Sequence, residues 1–338
     1  MKKILLLLSF LSSFLFAQSD FMKICENPTL EQAIVLDRIM GEKHNLENCL
    51  KFEKENKLNK NNQYKTRGFA RYKHEESKKV LSDISPFVVF VNLEELTIQN
   101  NNIKDINPLK NLKNLKKLDI TYNPIDNIDD LSNLTNLEEL SLDQNNLKDL
   151  KPLENLINLK NLNILSYKTN EELDISAISK LSNLKSLFFT VAPKDICVLN
   201  NLTQLEELII QNKKITDISC LDKLTNLKSL ELYSNSIENI DILKNYKKLE
   251  TLKIEDSQIK NIDALKDLEN LHTVYVKRNP KLEDTSAISY KDLGNYEAFD
   301  NPKLNWCSPK TYEDMVKHKS CYEKDGTLKP LWKRVLGI

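Results

Sequence analysis

"LEELTIQNNNIKDINPLKNLKN" (residues 93–114) is followed directly by "LKKLDITYNPIDNIDDLSNLTN" (115–136) and then by "LEELSLDQNNLKDLKPLENLIN" (137–158). The three stretches share one spacing of apolar residues and differ at most of the positions between them. Self-similarity at a fixed period indicates a repeat architecture, in which each unit buries its apolar residues against its neighbours. The shared spacing therefore predicts the fold, and the variable positions between the apolar residues are the candidates for function.

The spacing LxxLxLxxNxI is the leucine-rich-repeat signature, with one strand in each repeat. In the second stretch, Leu118 and Ile120 lie two residues apart and point to the inner side of a strand, whereas Asp119 and Thr121 point outward. The asparagine at the ninth position can bond to backbone groups of adjacent turns that would otherwise be buried without partners. This asparagine recurs at Asn101, Asn123, Asn145, Asn235, Asn279 and Asn301.

Ten such modules start at positions 93, 115, 137, 159, 184, 205, 227, 249, 271 and 293, and most of the intervals are equal. A repeat this short leaves little room for an α-helix on the return path, so we predict 3₁₀ turns and extended chain there. The predicted fold class is an α/β solenoid: a leucine-rich-repeat horseshoe with a concave parallel β-sheet, a convex side of 3₁₀ and extended segments, a helical N-terminal cap and a disulfide-tied C-terminal cap.

Two neighbouring modules depart from the pattern. The module that starts at position 159 is longer than the others, because the next one starts only at 184, and it has Tyr167 at the asparagine position. The module that starts at 184 is shorter than the others, because the next one starts at 205, and it has Ala192 at the asparagine position. Because the asparagine partner is missing from two consecutive turns, we expect bending or looseness at this point.

The tandem units, with "DINPLKNLKN" and "DISCLDKLTN" after the asparagine position, resemble the internalin-like class of bacterial leucine-rich-repeat proteins. The resemblance covers about residues 80–304. It implies an exported protein that binds other proteins through variable positions of its concave face, and it assigns no individual residue to a ligand.

The first residues, "MKKILLLLSFLSSFLFAQSD", combine two lysines, an apolar run and the small residue Ala17, which is the layout of a secretory signal peptide. A buried N-terminal helix is the alternative interpretation. The run is too short for a stable membrane span. The end of the sequence, "LKPLWKRVLGI", has no membrane tail and no sorting motif that we recognise. We therefore expect residues 1–17 to be removed and the mature protein to be soluble and exported, either periplasmic or secreted.

The flanks of the repeats are predicted to be caps, because the terminal repeats of a solenoid expose core on one side. Residues 18–79 form the N-terminal cap region, 80–304 the repeat domain and 305–338 the C-terminal cap. In the first cap, Thr29 and Gln32 have the spacing of a capping box. The helix that they start is predicted to present the apolar face Leu30, Ala33 and Ile34, and a second helix is predicted to carry Cys49.

The six cysteines fall into three pairs that are close in sequence, one in each region of the chain. An even number in an oxidising compartment favours disulfides. Zinc sites of cysteines usually contain CxxC pairs, and this sequence has none. Free buried thiols are the alternative. The predicted disulfides are Cys25–Cys49, Cys197–Cys220 and Cys307–Cys321.

The outward-facing strand positions are polar and small in the early modules and become apolar or aromatic in the middle and later ones. Such clusters in a groove are typical of interfaces. The alternative is that some of these side chains pack locally against the insertion at 167–173. Phe188, Ile209 and Tyr233 are the predicted centre of the binding surface. The full set of predicted ligand-binding residues is Leu165, Phe188, Val191, Ile209, Glu231, Tyr233, Glu255 and Tyr275.

Composition and motifs disfavour several other functions. Lys plus Arg and Asp plus Glu number 49 each, so no basic field attracts nucleic acid. No glycine-rich phosphate loop occurs, and the four histidines lack metal-ligand spacing. We therefore predict no catalytic residue, no metal site and no cofactor, but a monomeric, non-enzymatic scaffold that binds a host or envelope protein. A structural envelope protein without a discrete ligand is the alternative. A further one is an enzyme or enzyme inhibitor that uses the carboxylates of Glu231, Glu255 and Asp256.

Overall fold

The computed structural model describes residues 19–40, 42–58, 81–165, 172–288 and 293–304. The predicted signal peptide, the insertion around Tyr167, the C-terminal cap and the pair Cys307–Cys321 lie outside these ranges. The division of the chain into four regions therefore stays a prediction at both ends.

The repeats form a ten-stranded parallel sheet with one strand from each predicted module, which confirms the solenoid. Each strand alternates buried and partly exposed side chains, so one face of the sheet covers the core. Strands are numbered in chain order, and β5 (Glu172–Leu173) and β7 (Ala192–Pro193) form a separate small sheet. The large sheet contains β1 (Glu95–Thr97), β2 (Lys117–Asp119), β3 (Glu139–Ser141), β4 (Asn161–Ile164), β6 (Ser186–Phe189), β8 (Glu207–Gln211), β9 (Ser229–Tyr233), β10 (Thr251–Glu255), β11 (Thr273–Tyr275) and β12 (Asn295–Glu297).

The strand register follows the spacing of the sequence. Leu96 is opposite Leu118, the equivalent residue of the next module. In the irregular modules, Leu187 is opposite Leu162 on one side and Leu208 on the other, which are again equivalent residues. The unequal lengths of these modules therefore leave the strand pairing intact, because the added and missing residues lie outside the strands of the large sheet.

The convex side consists of short 3₁₀ helices, as predicted. A recurrent Asp or Asn starts them; for example, Asp149 Oδ1 accepts the N–H of Lys151 at 2.8 Å. This local bond turns the chain out of the extended conformation. The 3₁₀ helices are Ser85–Val89, Asn107–Leu109, Asp129–Asn133, Lys151–Asn155, Ser176–Lys180, Ile196–Asn201, Asp241–Asn245, Asp263–Leu265 and Ser286–Ile288.

The ninth-position asparagines form the predicted ladder inside the coil. Asn123 is 2% exposed, and its Nδ2 donates to the carbonyl oxygens of Ile98 at 3.0 Å and Ile120 at 2.9 Å. Its Oδ1 accepts the N–H of Ile103 at 3.1 Å. One side chain therefore satisfies buried backbone groups of two successive turns.

A second asparagine ladder, at the exposed turn before each strand, was missed in the sequence. Asn136 Nδ2 donates to the carbonyl oxygen of Lys113 at 2.8 Å, one turn back. The sequence contains a signal for this second ladder, because the last residue of most modules is Asn. The same bond recurs from Asn114, Asn158, Asn183, Asn226 and Asn270.

The irregular modules are held by the small sheet where looseness was expected. β5 pairs in parallel with β7, and Ala192 is buried. The side-chain bonds resume at Asn212, one position earlier than usual, whose Nδ2 donates to the carbonyl oxygen of Thr190 at 3.0 Å. The backbone N–H of Asn212 donates to Asn235 Oδ1 at 3.4 Å. Backbone pairing thus replaces the side-chain bonds that these two turns lack.

Ser257 occupies a ladder position that the sequence analysis did not single out. It is fully buried, and its Oγ has no hydrogen-bond partner among the described residues. Asn235 and Asn279 fill the equivalent positions on the flanking turns. We expect Ser257→Asn to raise the free energy of unfolding by about 1–2 kcal/mol, because the amide can donate to the buried carbonyl of Leu232. Equilibrium urea unfolding measures this, with Ser257→Ala as the control. A larger loss of stability in Ser257→Asn than in Ser257→Ala would show that the turn has no room for the amide.

Three helices cover the first turn of the solenoid: α1 (Asp20–Glu26), α2 (Leu30–Met40) and α3 (Leu46–Leu58). Of these three, α1 was not predicted from the sequence. The capping box is confirmed, with the N–H of Thr29 donating to Gln32 Oε1 at 2.9 Å and the N–H of Gln32 donating to Thr29 Oγ1 at 3.2 Å.

The predicted apolar face of α2 is wrong. Leu30 is 82% exposed, whereas Val35, Leu36 and Ile39 are buried. The orientation of α2 is set by its contacts with the first turn of the solenoid. There, Gln32 Nε2 donates to Asp83 Oδ2 at 2.8 Å and to Ser85 Oγ at 2.9 Å. The residues three, four and seven positions after Gln32 therefore face the core.

Two of the three predicted disulfides are present in the described residues. Cys25–Cys49 joins α1 to α3 with a Cα–Cα distance of 6.3 Å. Cys197–Cys220 joins the return paths of two successive modules with a Cα–Cα distance of 5.5 Å. Each bond connects segments of one structural region, as their closeness in sequence predicted.

Candidate functional site

The exposed face of the sheet presents two rows of outward side chains. The first row follows the strand register throughout, and the second lies two residues further along each strand. The first row is Thr97, Asp119, Ser141, Asn163, Phe188, Ile209, Glu231, Lys253, Tyr275 and Glu297. The second row is Gln99, Thr121, Asp143, Leu165, Thr190, Gln211, Tyr233, Glu255, Lys277 and Phe299.

Three predicted ligand-binding residues lie on neighbouring strands, and we call them the apolar patch: Leu165, Phe188 and Ile209. Phe188 and Ile209 are register partners on β6 and β8. Leu165 follows β4, the strand next to β6, and belongs to the second row. All three side chains are half-buried. The middle of the concave face therefore offers apolar surface on three neighbouring strands.

The prediction that Val191 faces a ligand is wrong. Its side chain is 4% exposed and packs in the core. Val191 lies two residues after Phe189 and four residues after Leu187, which are also buried, so the alternation of β6 continues through it. The pairing of β7 with β5 begins at the next residue.

The predicted series of apolar and aromatic outward residues is interrupted by an ion pair. Glu231 and Lys253 lie in the first row between Ile209 and Tyr275, with Glu231 Oε1 at 2.8 Å from Lys253 Nζ. Tyr233 lies in the second row and donates its hydroxyl to Glu231 Oε2 at 2.6 Å. Burial, and then the bond to the Glu231 carboxylate, raise the pKa of the Tyr233 phenol. Tyr233 is therefore tied to the charged group and lies outside the apolar patch.

Tyr275 lies between two lysines. The Nζ atoms are 5.9 Å (Lys253) and 4.8 Å (Lys277) from its ring centroid, within the range of cation–π contacts. Lys277 also pairs with Glu297, and the hydrogen bond to this carboxylate raises the pKa of the lysine. Both lysines beside the Tyr275 ring are therefore already paired with carboxylates of the chain.

Arg278 is a charged residue of this face that was not predicted from the sequence. Its Nε lies 2.7 Å from Asp256 Oδ1 and its Nη2 lies 2.7 Å from Glu255 Oε2, so it holds two carboxylates of the preceding module. The guanidinium lowers the pKa of Asp256. Arg278 follows the second row at a position where the backbone is left-handed, with φ of 53°. The sequence does contain a signal for this residue: the position just before the ladder asparagine varies between modules, and it follows the two outward rows.

The three carboxylates considered for enzyme chemistry are all engaged. Glu231 pairs with Lys253, and Glu255 and Asp256 pair with Arg278. Glu231 and Glu255 are each only 14% exposed at the side chain. Acid–base catalysis needs a carboxyl group positioned to exchange a proton with a substrate, whereas these three carboxylates face cations of the chain itself. The geometry is that of structural ion pairs.

The early part of the face carries two acidic side chains. Asp119 Oδ1 accepts the N–H of Thr121 at 3.1 Å and its hydroxyl at 2.5 Å. Asp143 Oδ1 accepts the N–H of Leu165 at 2.8 Å. Burial raises the pKa of Asp143 in spite of this bond, and the charge of Asp119 raises it further. From the sequence, the outward positions of these modules were predicted only to be polar and small.

Within the described ranges, no helix has the length and apolarity to cross a membrane. The same part of the chain holds no group of three or more His, Cys, Asp or Glu side chains suited to a metal ion.

Comparisons with known proteins identify the family of this chain. A family model described as leucine-rich repeats (two copies) matches residues 91–133 and 203–245. The crystal structure of an internalin, InlF, from Listeria monocytogenes is 31% identical to the chain, with a TM-score of 0.55 over 67% of this chain and 72% of InlF. The chain belongs to the internalin-like leucine-rich-repeat family. This family assignment confirms the resemblance inferred from the repeat spacing.

Two further structures support the internalin-like fold. Internalin C2 from Listeria monocytogenes is 28% identical, with a TM-score of 0.50 over 56% of this chain and 82% of that one. The functional domain of InlJ from the same organism, which includes a cysteine ladder, is 17% identical, with a TM-score of 0.53 over 67% of this chain and 53% of that one, and it shares the fold. Comparison with curated proteins gives no match. The internalin-like fold is one that commonly serves as a protein-interaction scaffold.

Proposed function

We propose that this internalin-like chain is an exported, non-enzymatic recognition scaffold that binds a protein partner through its concave face, centred on the apolar patch. The observation that carries the proposal is the apolar patch itself. Leu165, Phe188 and Ile209 keep part of their apolar surface in solvent on three neighbouring strands, although the same strands bury their inward side chains completely.

Energetics support the patch as the centre of an interface. Each square ångström of apolar surface removed from water contributes about 25 cal/mol, and interface energy concentrates in central apolar or aromatic residues. Apart from Tyr275 and the exposed Phe299 near the C-terminal end, the outward rows on both sides of the patch are polar or ion-paired. The patch is therefore the place on this face where apolar side chains of three neighbouring strands can be covered together.

Export is supported by the cysteines. The disulfides Cys25–Cys49 and Cys197–Cys220 fit an extracytoplasmic protein, because thiols in the cytosol are kept reduced. The apolar N-terminal run with Ala17 adds sequence support for a signal peptide. Release of residues 1–17 would be visible as the mass of the protein recovered from its native compartment.

The binding proposal is tested by affinity capture from envelope and host extracts with the folded chain. We expect this experiment to capture a discrete partner. Combining Phe188→Ala with Ile209→Ala should weaken the binding free energy by about 2–4 kcal/mol, because both side chains lie at the centre of the proposed interface. The matched control is Val91→Ala with Ile157→Ala, which removes two exposed apolar side chains from turns away from the sheet face.

Three results would distinguish the candidates. Loss of the partner in the patch variant alone supports the scaffold. Diffuse capture that neither variant changes favours a structural envelope protein without a discrete ligand. A discrete partner retained by both variants would contradict the placement of the site on the apolar patch.

A further inference from the structure

The acidic residues of the two outward rows have cationic partners in the C-terminal half of the sheet and lack them in the N-terminal half, among the described residues. In the C-terminal half, Glu231, Glu255 and Glu297 each have a lysine or arginine partner within the chain. In the N-terminal half, Asp119 and Asp143 are the only charged members of the rows. Neither takes part in an ion pair among the described residues; their bonds go to Thr121 and to the N–H of Leu165.

These two carboxylates would gain from an external cation. Asp143 is half-buried, so water solvates its charge poorly, and the charge of Asp119 acts on it unfavourably. A cation beside them would relieve both effects. The paired carboxylates of the C-terminal half have no such need, because Lys253, Lys277 and Arg278 already neutralise them.

The unbalanced pair adjoins the apolar patch. The backbone N–H of Leu165 bonds to Asp143, so these two residues are in contact. Asp119 lies three strands from Phe188, which at about 4.8 Å per strand is about 14 Å. An extended segment of about four residues spans this distance. One short segment of a partner can therefore reach the carboxylates and the patch together.

We propose that the partner binds through a protein segment in which a lysine or arginine lies within about four residues of a large apolar side chain. The cation faces Asp119 and Asp143, and the apolar side chain covers Leu165, Phe188 and Ile209. This inference rests on the proposed function and specifies the chemistry of the partner.

The probe is a display library of random twelve-residue peptides, selected on the full chain with its disulfides intact. We expect the enriched peptides to combine a basic residue with a nearby apolar one. Synthetic copies should bind the Asp119→Asn/Asp143→Asn variant at least about tenfold more weakly, with a shallower dependence on salt. Asparagine keeps the side-chain oxygen that accepts the N–H of Leu165, so circular dichroism and thermal unfolding of this variant should match those of the parent.

The matched control is Asp130→Asn/Glu154→Gln. It makes the same change of net charge in the same two modules, but in the 3₁₀ helices of the convex side. We expect this control to bind the peptides as the parent does. Equal weakening in both variants would overturn the proposal, because it would show a general effect of net charge.

Other outcomes separate this inference from the proposed function. Peptides that lose binding on Phe188→Ala/Ile209→Ala but are indifferent to Asp119→Asn/Asp143→Asn would overturn the basic partner and leave the scaffold function standing. Peptides indifferent to both variants would overturn both proposals. Enrichment of peptides without basic residues, or of none at all, would also overturn the basic partner.

Discussion

Replacing Asn279 by alanine is expected to lower the free energy of unfolding by about 3–5 kcal/mol, because each buried group left unpaired costs about 1–3 kcal/mol. Its Nδ2 donates to the carbonyl oxygens of Ile254 at 2.9 Å and Lys277 at 3.0 Å, and its Oδ1 accepts the N–H of Ser257 at 3.1 Å. Asn279 is fully buried, so alanine would leave the carbonyl oxygen of Ile254 and the N–H of Ser257 without water as well as without this partner, whereas Lys277 still accepts the N–H of Asp256 at 3.1 Å. Equilibrium urea unfolding followed by circular dichroism measures the loss.

The control for this prediction is Asn270→Ala, the same chemical change in the exposed ladder. Asn270 Nδ2 donates to the carbonyl oxygen of Lys247 at 2.7 Å, where water can replace the lost donor. We expect a loss of about 1 kcal/mol or less. Similar losses at Asn279 and Asn270 would contradict the view that burial gives the inner ladder its importance.

Leu230→Ala is expected to lower the free energy of unfolding by about 2–5 kcal/mol, the range for a leucine deleted from a packed core. Leu230 is 2% exposed and lies on β9 between Leu208 and Leu252 of the adjacent strands. Because each module packs on both neighbours, a cavity here weakens two module interfaces at once. The same unfolding experiment measures the effect.

Ile209→Ala provides the contrast, since Ile209 points to the outward face of the neighbouring strand. We expect it to change the free energy of unfolding by about 1 kcal/mol, because only part of its apolar surface is covered. If Ile209→Ala were as destabilising as Leu230→Ala, the apolar patch would belong to the core and the proposed binding surface would be wrong.

The repeat spacing was sufficient to predict the sheet, its register and the asparagine ladder. Every module must bury the same set of inward residues against the next, so the pattern within a single module also determines the contacts between modules. For this reason Leu96 pairs with Leu118, and Asn123 bonds across two turns, as the spacing indicated. The disulfides Cys25–Cys49 and Cys197–Cys220 were predictable for the same reason: each joins segments that the local fold brings together.

The outward face could be predicted only in part, because its contacts depend on side chains that reach between modules. Alternation along one strand shows that Phe188 and Tyr233 both point outward. It does not show that Tyr233 bonds to Glu231 on the same strand, or that Glu231 pairs with Lys253 of the next module. Arg278 reaches back one module to Glu255 and Asp256, a connection that no spacing within a module encodes.

Some features were decided by tertiary structure alone. The pairing of β5 with β7 joins segments on either side of a strand of the large sheet, and the lengths of the irregular modules did not indicate it. The buried face of α2 is set by the bonds from Gln32 to Asp83 and Ser85, which are distant in sequence. The repeated core is thus determined by sequence, because its contacts repeat the same short-range pattern in every module. The contacts of the candidate site are determined by tertiary structure. Modules of unequal length and long side chains bring particular residues of neighbouring modules together, and the repeat pattern does not distinguish these residues from their equivalents in other modules.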